Sequence, residues 1–399
     1  MPSVALGASI PAGPRRAPAI EASLPRAVLE QEALDSKRGL SWGAFPIITY
    51  NSDIGLGLGL GLAIFDYGEG RRPYRHALLL SGFISTELAQ KHTIDWSAPN
   101  IGGSGLSLRV KTQFDRQIDA MYFGLGNLAP YDPRYTNPRN AAFVSKKYYL
   151  FRHSTPSLNT QLRIPLSGPF ELWAGYSFRY HLVEPYQDSL LSIERPLGVD
   201  GGVTSMLHFG LILDTRDRPT ATSAGHWIEL SLRASPKLLG SSTNFGGLTL
   251  ADHHFFNPVG GLVLANRVLL DMQIGSVPFS ELNQFGDTAM TDGLGGAWSM
   301  RGFSANRFIG KIKLLINPEI RYRFLTWRWW RQRFDLSVVG FLDAGRVWRD
   351  YAADGPLGKI HVSGGGGLRL VWDQNFLARF EVGGSREGPR FFVEIAAPY

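Results

Sequence analysis

The sequence has no cysteine in 399 residues. That removes disulfides and thiolate metal sites from consideration, without fixing the compartment. There is no run of about eighteen apolar residues, so no transmembrane helix is expected. Charge is sparse, at 19% of residues, and its +7 balance is dispersed rather than gathered on a recognition helix. Nucleic acid is therefore not an expected partner, whereas anionic surfaces such as lipopolysaccharide or phospholipid headgroups are. A nucleotide loop is missing as well. Glycines 55–61 approach G-x-G-x-x-G, but Leu60 stands where a glycine is required and no helix follows. No cofactor and no metal are expected.

What is present is alternation. In the stretch SDIGLGLGLGLAIFDYG, Leu56, Leu58, Leu60, Leu62 and Ile64 share one face of an extended strand. Gly55, Gly57, Gly59 and Gly61 share the other. Glycine inside a regular element costs roughly 0.5–1 kcal/mol against alanine. A run of four predicts that close space is required on that side. The expectation is a thin wall against which an inserted loop or the N-terminal segment lies.

The same period continues from residue 39 to the C-terminus. In KIKLLINPEIRYRF, the face carrying Lys313, Asn317, Glu319 and Arg321 opposes Ile312, Leu314, Ile316 and Ile320. In HWIELSLR, Trp227, Glu229, Ser231 and Arg233 oppose Ile228, Leu230 and Leu232. These segments run well past the five or six residues usual for a soluble sandwich strand. They suit the roughly nine to eleven tilted residues that cross a bilayer. About sixteen such segments can be counted, an even number that returns both termini to one side. The fifth is expected over 103–117 and the sixth over 143–165. Short connections (PNIGG, LSGP, NPVGG, DQN) fall on the termini side, and long ones near 118–142, 185–201 and 277–310 on the other. The expected fold is all-β: a membrane-spanning antiparallel β-barrel of about 16 strands over 39–399. The aromatic stretch TWRWWRQR, from Thr326 to Arg333, reads as an interfacial anchor rather than a specific lipid site.

The seam between first and last strands carries two prolines, Pro46 and Pro398, next to the terminal Tyr399. Proline cannot donate to a ladder and is confined to edges or bulges. A short, weak closure is one reading. A harmless bulge and strand end is the other.

The long segment GGAWSMRGFSANRFIG, with NPEIRYRF, GFLDAGRVW and LILDTRDRPTATSAGHW, resembles the BamA/TamA family, the bacterial surface antigen family of outer-membrane barrels. The resemblance spans the barrel. It implies the outer membrane of a Gram-negative bacterium and a long outer loop folded into the lumen. That loop carries a V-R-G-F motif, read here as Met300, Arg301, Gly302 and Phe303 with methionine in place of valine. The resemblance implies that Arg301 meets acidic residues on the next two strands, at Glu319 and at Asp343 of an F-x-D-x-G motif (Phe341, Asp343, Gly345). Parity agrees independently, since it places Glu319, Phe341, Asp343 and Gly345 on lumenal faces. Two close lumenal carboxylates repel unless a cation lies between them, and a planar guanidinium suits that place. The alternative is a solvated Arg301. The resemblance further implies that the seam opens laterally for substrates, and that Phe391, Val393, Ile395, Ala397 and Tyr399 form a C-terminal assembly signal. Unfolded outer-membrane proteins are then expected partners, and a second copy of the barrel at the seam stays open.

Residues 1–38 are too short for the POTRA modules that precede such barrels. They are expected to form a periplasmic tail or a short helix around Val28, Leu29 and Leu34. SVALGASIPA lacks the charge and apolar core of a signal peptide, which predicts a mature chain or a misplaced start codon. Insertion or translocation of proteins or lipids through the seam is the leading expectation, and a plugged or narrow pore for solutes is the alternative. A structural surface role stays open. A barrel lipase would need a serine and a histidine together on one outward face. His253 and His254 are adjacent and point oppositely, so no enzymatic activity is expected.

Overall fold

The computed structural model describes residues 38–70, 74–218, 222–329, 332–351, 357–372 and 376–396. Sixteen strands close on themselves, each antiparallel to its neighbours. They are β1 Leu40–Asn51, β2 Gly55–Asp66, β3 His76–Ser85, β4 Gln90–Ala98, β5 Ser107–Met121, β6 Leu150–Pro165, β7 Phe170–Pro185 and β8 Gly202–Asp214. The second half is β9 Gly225–Ser235, β10 Phe245–Val259, β11 Leu262–Gly275, β12 Ile312–Trp329, β13 Gln332–Trp348, β14 His361–Trp372, β15 Phe376–Ser385 and β16 Gly388–Ala396. No helix among the described residues is long and apolar enough to cross a membrane. The expected segment 1–38 lies outside the described residues except for Arg38.

The alternation read from the sequence appears as a reversal of ordinary burial. Along β9, Glu229 is 1% exposed and Arg233 7%, while Leu232, between them in sequence, is 54% exposed. Charged side chains point into the barrel and leucines out. Such a continuous apolar exterior is suited to lipid and not to water.

Two strand boundaries differ from expectation. β5 runs 107–121 rather than 103–117, because Gly102, Gly103 and Gly105 all adopt positive φ in the preceding turn. β6 begins at Leu150 rather than 143. Tyr148 and Tyr149 are instead held in an aromatic group with Phe123, Tyr131 and Tyr135 that caps the outer loops. The tryptophan-rich stretch is strand up to Trp329, with Trp327 stacked on Phe334 across the ladder. Trp330 lies outside the described residues.

The glycine face of β2 is covered, but not by the inserted loop. Phe45 of β1 lies directly across from Gly61, and Phe83 of β3 across from Gly59. The Phe45 ring rests on Gly61, where a Cβ would penetrate it, while a Cβ at Gly59 would meet the Gly82 carbonyl and the root of the Phe83 side chain, whose ring lies diagonally over Gly57. At Gly57 the space is taken by Thr49 and Phe83, and at Gly55 by Thr86. Glycine opposite an aromatic recurs at Gly210 with Trp173 and at Gly365 with Phe341. The close space is thus filled by the wall's own rings, a known way of stabilising glycine within a sheet.

The Gly61→Leu variant should therefore overpack the Phe45 ring and destabilise the barrel by about 1–3 kcal/mol. The heat-induced mobility shift on electrophoresis measures this. Adding Phe45→Ala should recover part of the loss.

Candidate functional site

The barrel interior is occupied by the connection between β11 and β12, residues 276–311, which folds back into the lumen. Its short helical turn Phe279–Leu282 is wholly buried. Glu281 there accepts from Arg179 of β7 at 2.7 Å and pairs with His181 at 3.0 Å. Burial alone would raise its carboxyl, but Arg179 and His181 hold it down at about 2. Further along, Thr288 donates from both backbone and hydroxyl to Glu229 of β9 (2.7 and 2.6 Å). Leu294, Met300, Phe303 and Phe308 form an apolar core with Ala251, Leu269, Leu315 and Val347 of the wall. The lumen therefore contains a second core, with loop on one side and strands on the other.

Arg301 sits at the centre of this arrangement, 4% exposed. Its Nη2 and Nε donate to the two oxygens of Asp343 (2.7 and 3.0 Å), a bidentate fork. Its own backbone N–H donates to Asp343 at 2.8 Å. Nη1 reaches Glu319 at 2.6 Å and Glu381 at 3.3 Å, and the guanidinium lies 3.5 Å above the Phe341 ring. Burial would lower the guanidinium's pKa, but Asp343, Glu319 and Glu381 together raise it above the usual arginine range. A second arginine, Arg369 of β14, donates to Glu319 at 3.0 Å and to Glu381 at 2.5 Å. The two cations thus share the carboxylates between them.

Each motif residue has a steric reason for its place. Gly302 passes so close to Ser363 and Gly384 that a Cβ would collide with both, and its carbonyl accepts from Ser385 Oγ at 2.6 Å. Phe303 enters the apolar core and meets Phe308 edge-on at 5.2 Å. Gly345 lies beneath Leu294 and Met300. All seven residues singled out in the loop and on β12 and β13 lie within this one assembly. Glu381, Arg369 and Gly383 were not singled out. Gly383 is the most demanding, because a Cβ there would occupy the position of the Arg301 carbonyl. Parity along LARFEVGG places Glu381 and Gly383 on one face, and that signal could have found them.

Among the described residues, β1 pairs with β16 from Ile48↔Ile395 to Asn51↔Phe392, whereas its ladder to β2 runs from Leu40 to Asn51. Pro46 pairs with Leu60 of β2 and lies beyond the last described pair to β16. Pro398 and Tyr399 lie outside the described residues. At the outer end the loop ties the two seam strands together. Asp53, just after β1, accepts from the backbone of Ala305 (3.0 Å) and from Arg390 of β16 (2.5 Å). Arg390 also donates to Ser304. Nothing in the sequence pattern indicated this clamp.

Arg301→Ala removes one partner of a buried charge set and should destabilise the barrel by about 3–5 kcal/mol. Arg301→Lys should recover little, because a single ammonium does not reproduce the fork to Asp343. Thermal unfolding followed by heat-modifiable mobility checks both.

Residues 76–382 match the Omp85 superfamily domain. No curated protein matches the chain. Among solved structures, BamA from Haemophilus ducreyi lacking POTRA domains 1-3 aligns with a TM-score of 0.58 at 16% identity. That alignment covers 90% of this chain and 70% of the other. CdiB from Escherichia coli aligns with a TM-score of 0.57 at 12% identity, covering 90% and 63%. At these identities the likeness is one of fold, and the chain spans less than two thirds of CdiB. The family rests on the domain match, which takes in the loop, its arginine and the strands that hold it: the chain belongs to the Omp85 superfamily.

Proposed function

We propose that this barrel resides in the outer membrane of a Gram-negative bacterium and inserts or translocates proteins or lipids through the seam between β1 and β16. The observation that carries this reading is the contrast between a filled lumen and a ladder of four described pairs at the closure. A route through the centre is obstructed by a loop with its own core, while among the described residues the wall has its fewest pairs along this line. Opening that line requires breaking few backbone hydrogen bonds. Pro46 has no N–H to leave unpaired in lipid when it does. Substrates would be unfolded outer-membrane proteins or the lipids and lipopolysaccharide around the barrel, moved without covalent chemistry. The edge of β1 that such an opening would free is also where a second copy could add a strand.

A second reading, a narrow pore for small solutes, has its own support in a cavity of about 180 Å³ between the loop and the β4–β8 wall.

One experiment separates them. The chain has no cysteine, so the pair Tyr50→Cys and Val393→Cys, which face each other across the seam, can be joined unambiguously. In liposomes, the unlinked protein should accelerate folding of a model outer-membrane protein. The disulfide should abolish that, and reduction should restore it. Absence of acceleration, with steady solute leakage that ignores the crosslink, would favour the pore.

A further inference from the structure

The loop does not fill the barrel evenly. It is latched to β12–β15 and braced on β7–β11, which leaves the cavity along β4–β8. Its lining is rich in cations. Arg109 is committed to Asp95 at 2.8 Å, and Arg179 to Glu281 at 2.7 Å. Two lysines differ. Lys91 of β4 is 4% exposed, and its Nζ has no hydrogen-bond partner among the described residues. Lys111 of β5 lines the same cavity and forms no ion pair among the described residues.

A desolvated ammonium without a partner is strongly unfavourable, and evolution of a stable core would remove it. Asp115 lies directly across the ladder from Lys91 and lines the cavity too, yet it does not accept from Nζ. Lys91 and Lys111 are four positions apart along the β4–β5 ladder, on one lumenal face, and both line the cavity. The loop carboxylate Asp292 and neutral hydrogen-bonding groups complete the wall, among the latter Gln113, Ser157 and His208, whose Nδ1 is buried and also unpartnered.

We propose that this cavity is a binding site for a phosphate group, with Lys91 and Lys111 supplying the charge and Asp115 weakening the hold. Two ammonium groups lining one cavity match an oxyanion carrying close to two charges, and lysine acts on phosphate as a point charge without demanding a planar fork. The cavity, about 180 Å³, has room for a phosphate group with its first waters. The group could belong to a free phosphate or to a lipid headgroup. The site is independent of the seam and of what passes through it.

The test is calorimetric titration of the refolded full chain in zwitterionic micelles at constant ionic strength. One arm uses inorganic phosphate and the other short-chain phosphatidic acid. Saturable one-to-one binding is expected in at least one arm. Saturation by inorganic phosphate assigns a free solute, and saturation by the lipid alone assigns a headgroup. Lys91→Met and Lys111→Met should each weaken binding at least about tenfold. Asp115→Asn should tighten it several-fold, an opposite sign that loss of structure would not produce. Unchanged heat-modifiable mobility establishes that each variant is folded. No saturable binding in either arm would overturn the proposal. So would equal affinity in the lysine variants, or a weakening in Asp115→Asn.

Discussion

The structure depends on one guanidinium. Arg301 joins the inserted loop to three strands of the wall, through Glu319 on β12, Asp343 on β13 and Glu381 on β15. Three carboxylates gathered in a dry lumen would repel each other strongly. With Arg301 and Arg369 among them, the charges alternate in space and the lone pairs are taken. The same low dielectric that makes each partner expensive to remove makes the completed set directional and rigid. The loop is therefore held in one register, and its apolar residues Leu294, Met300, Phe303 and Phe308 can pack as a core rather than as a collapsed plug.

From that fixed point the rest of the loop reaches the seam. Ser304 and Ala305 follow the motif at once, and they contact Arg390 and Asp53 at the outer end of β16 and β1. The latch and the closure are thus a few residues apart along one chain segment. A bilayer offers no water to an unpaired strand edge. The seam, with four described pairs, is stabilised at its outer end by a polar clamp from the loop.

Much of the fold was legible in the sequence, because a lipid-facing strand must alternate with an exact period of two and nothing in the lumen relaxes that rule. The number of strands, the placement of the long connections and the lumenal sides of Glu319 and Asp343 all follow from parity. The motif at Arg301–Phe303 and the F-x-D-x-G run marked the residues that the loop brings together. What parity did not decide is which strands become neighbours across the lumen. Arg369, Glu381 and Gly383 join the site because the barrel closes and brings β14 and β15 beside the loop, a relation with no fixed sequence distance. The glycine face of β2 is the instructive case. The sequence by itself determined that close space was needed there. Only the tertiary structure decided its occupant, because the register sets Phe45 and Phe83 across from Gly61 and Gly59, and aromatic rings lie down wherever a neighbour has no side chain.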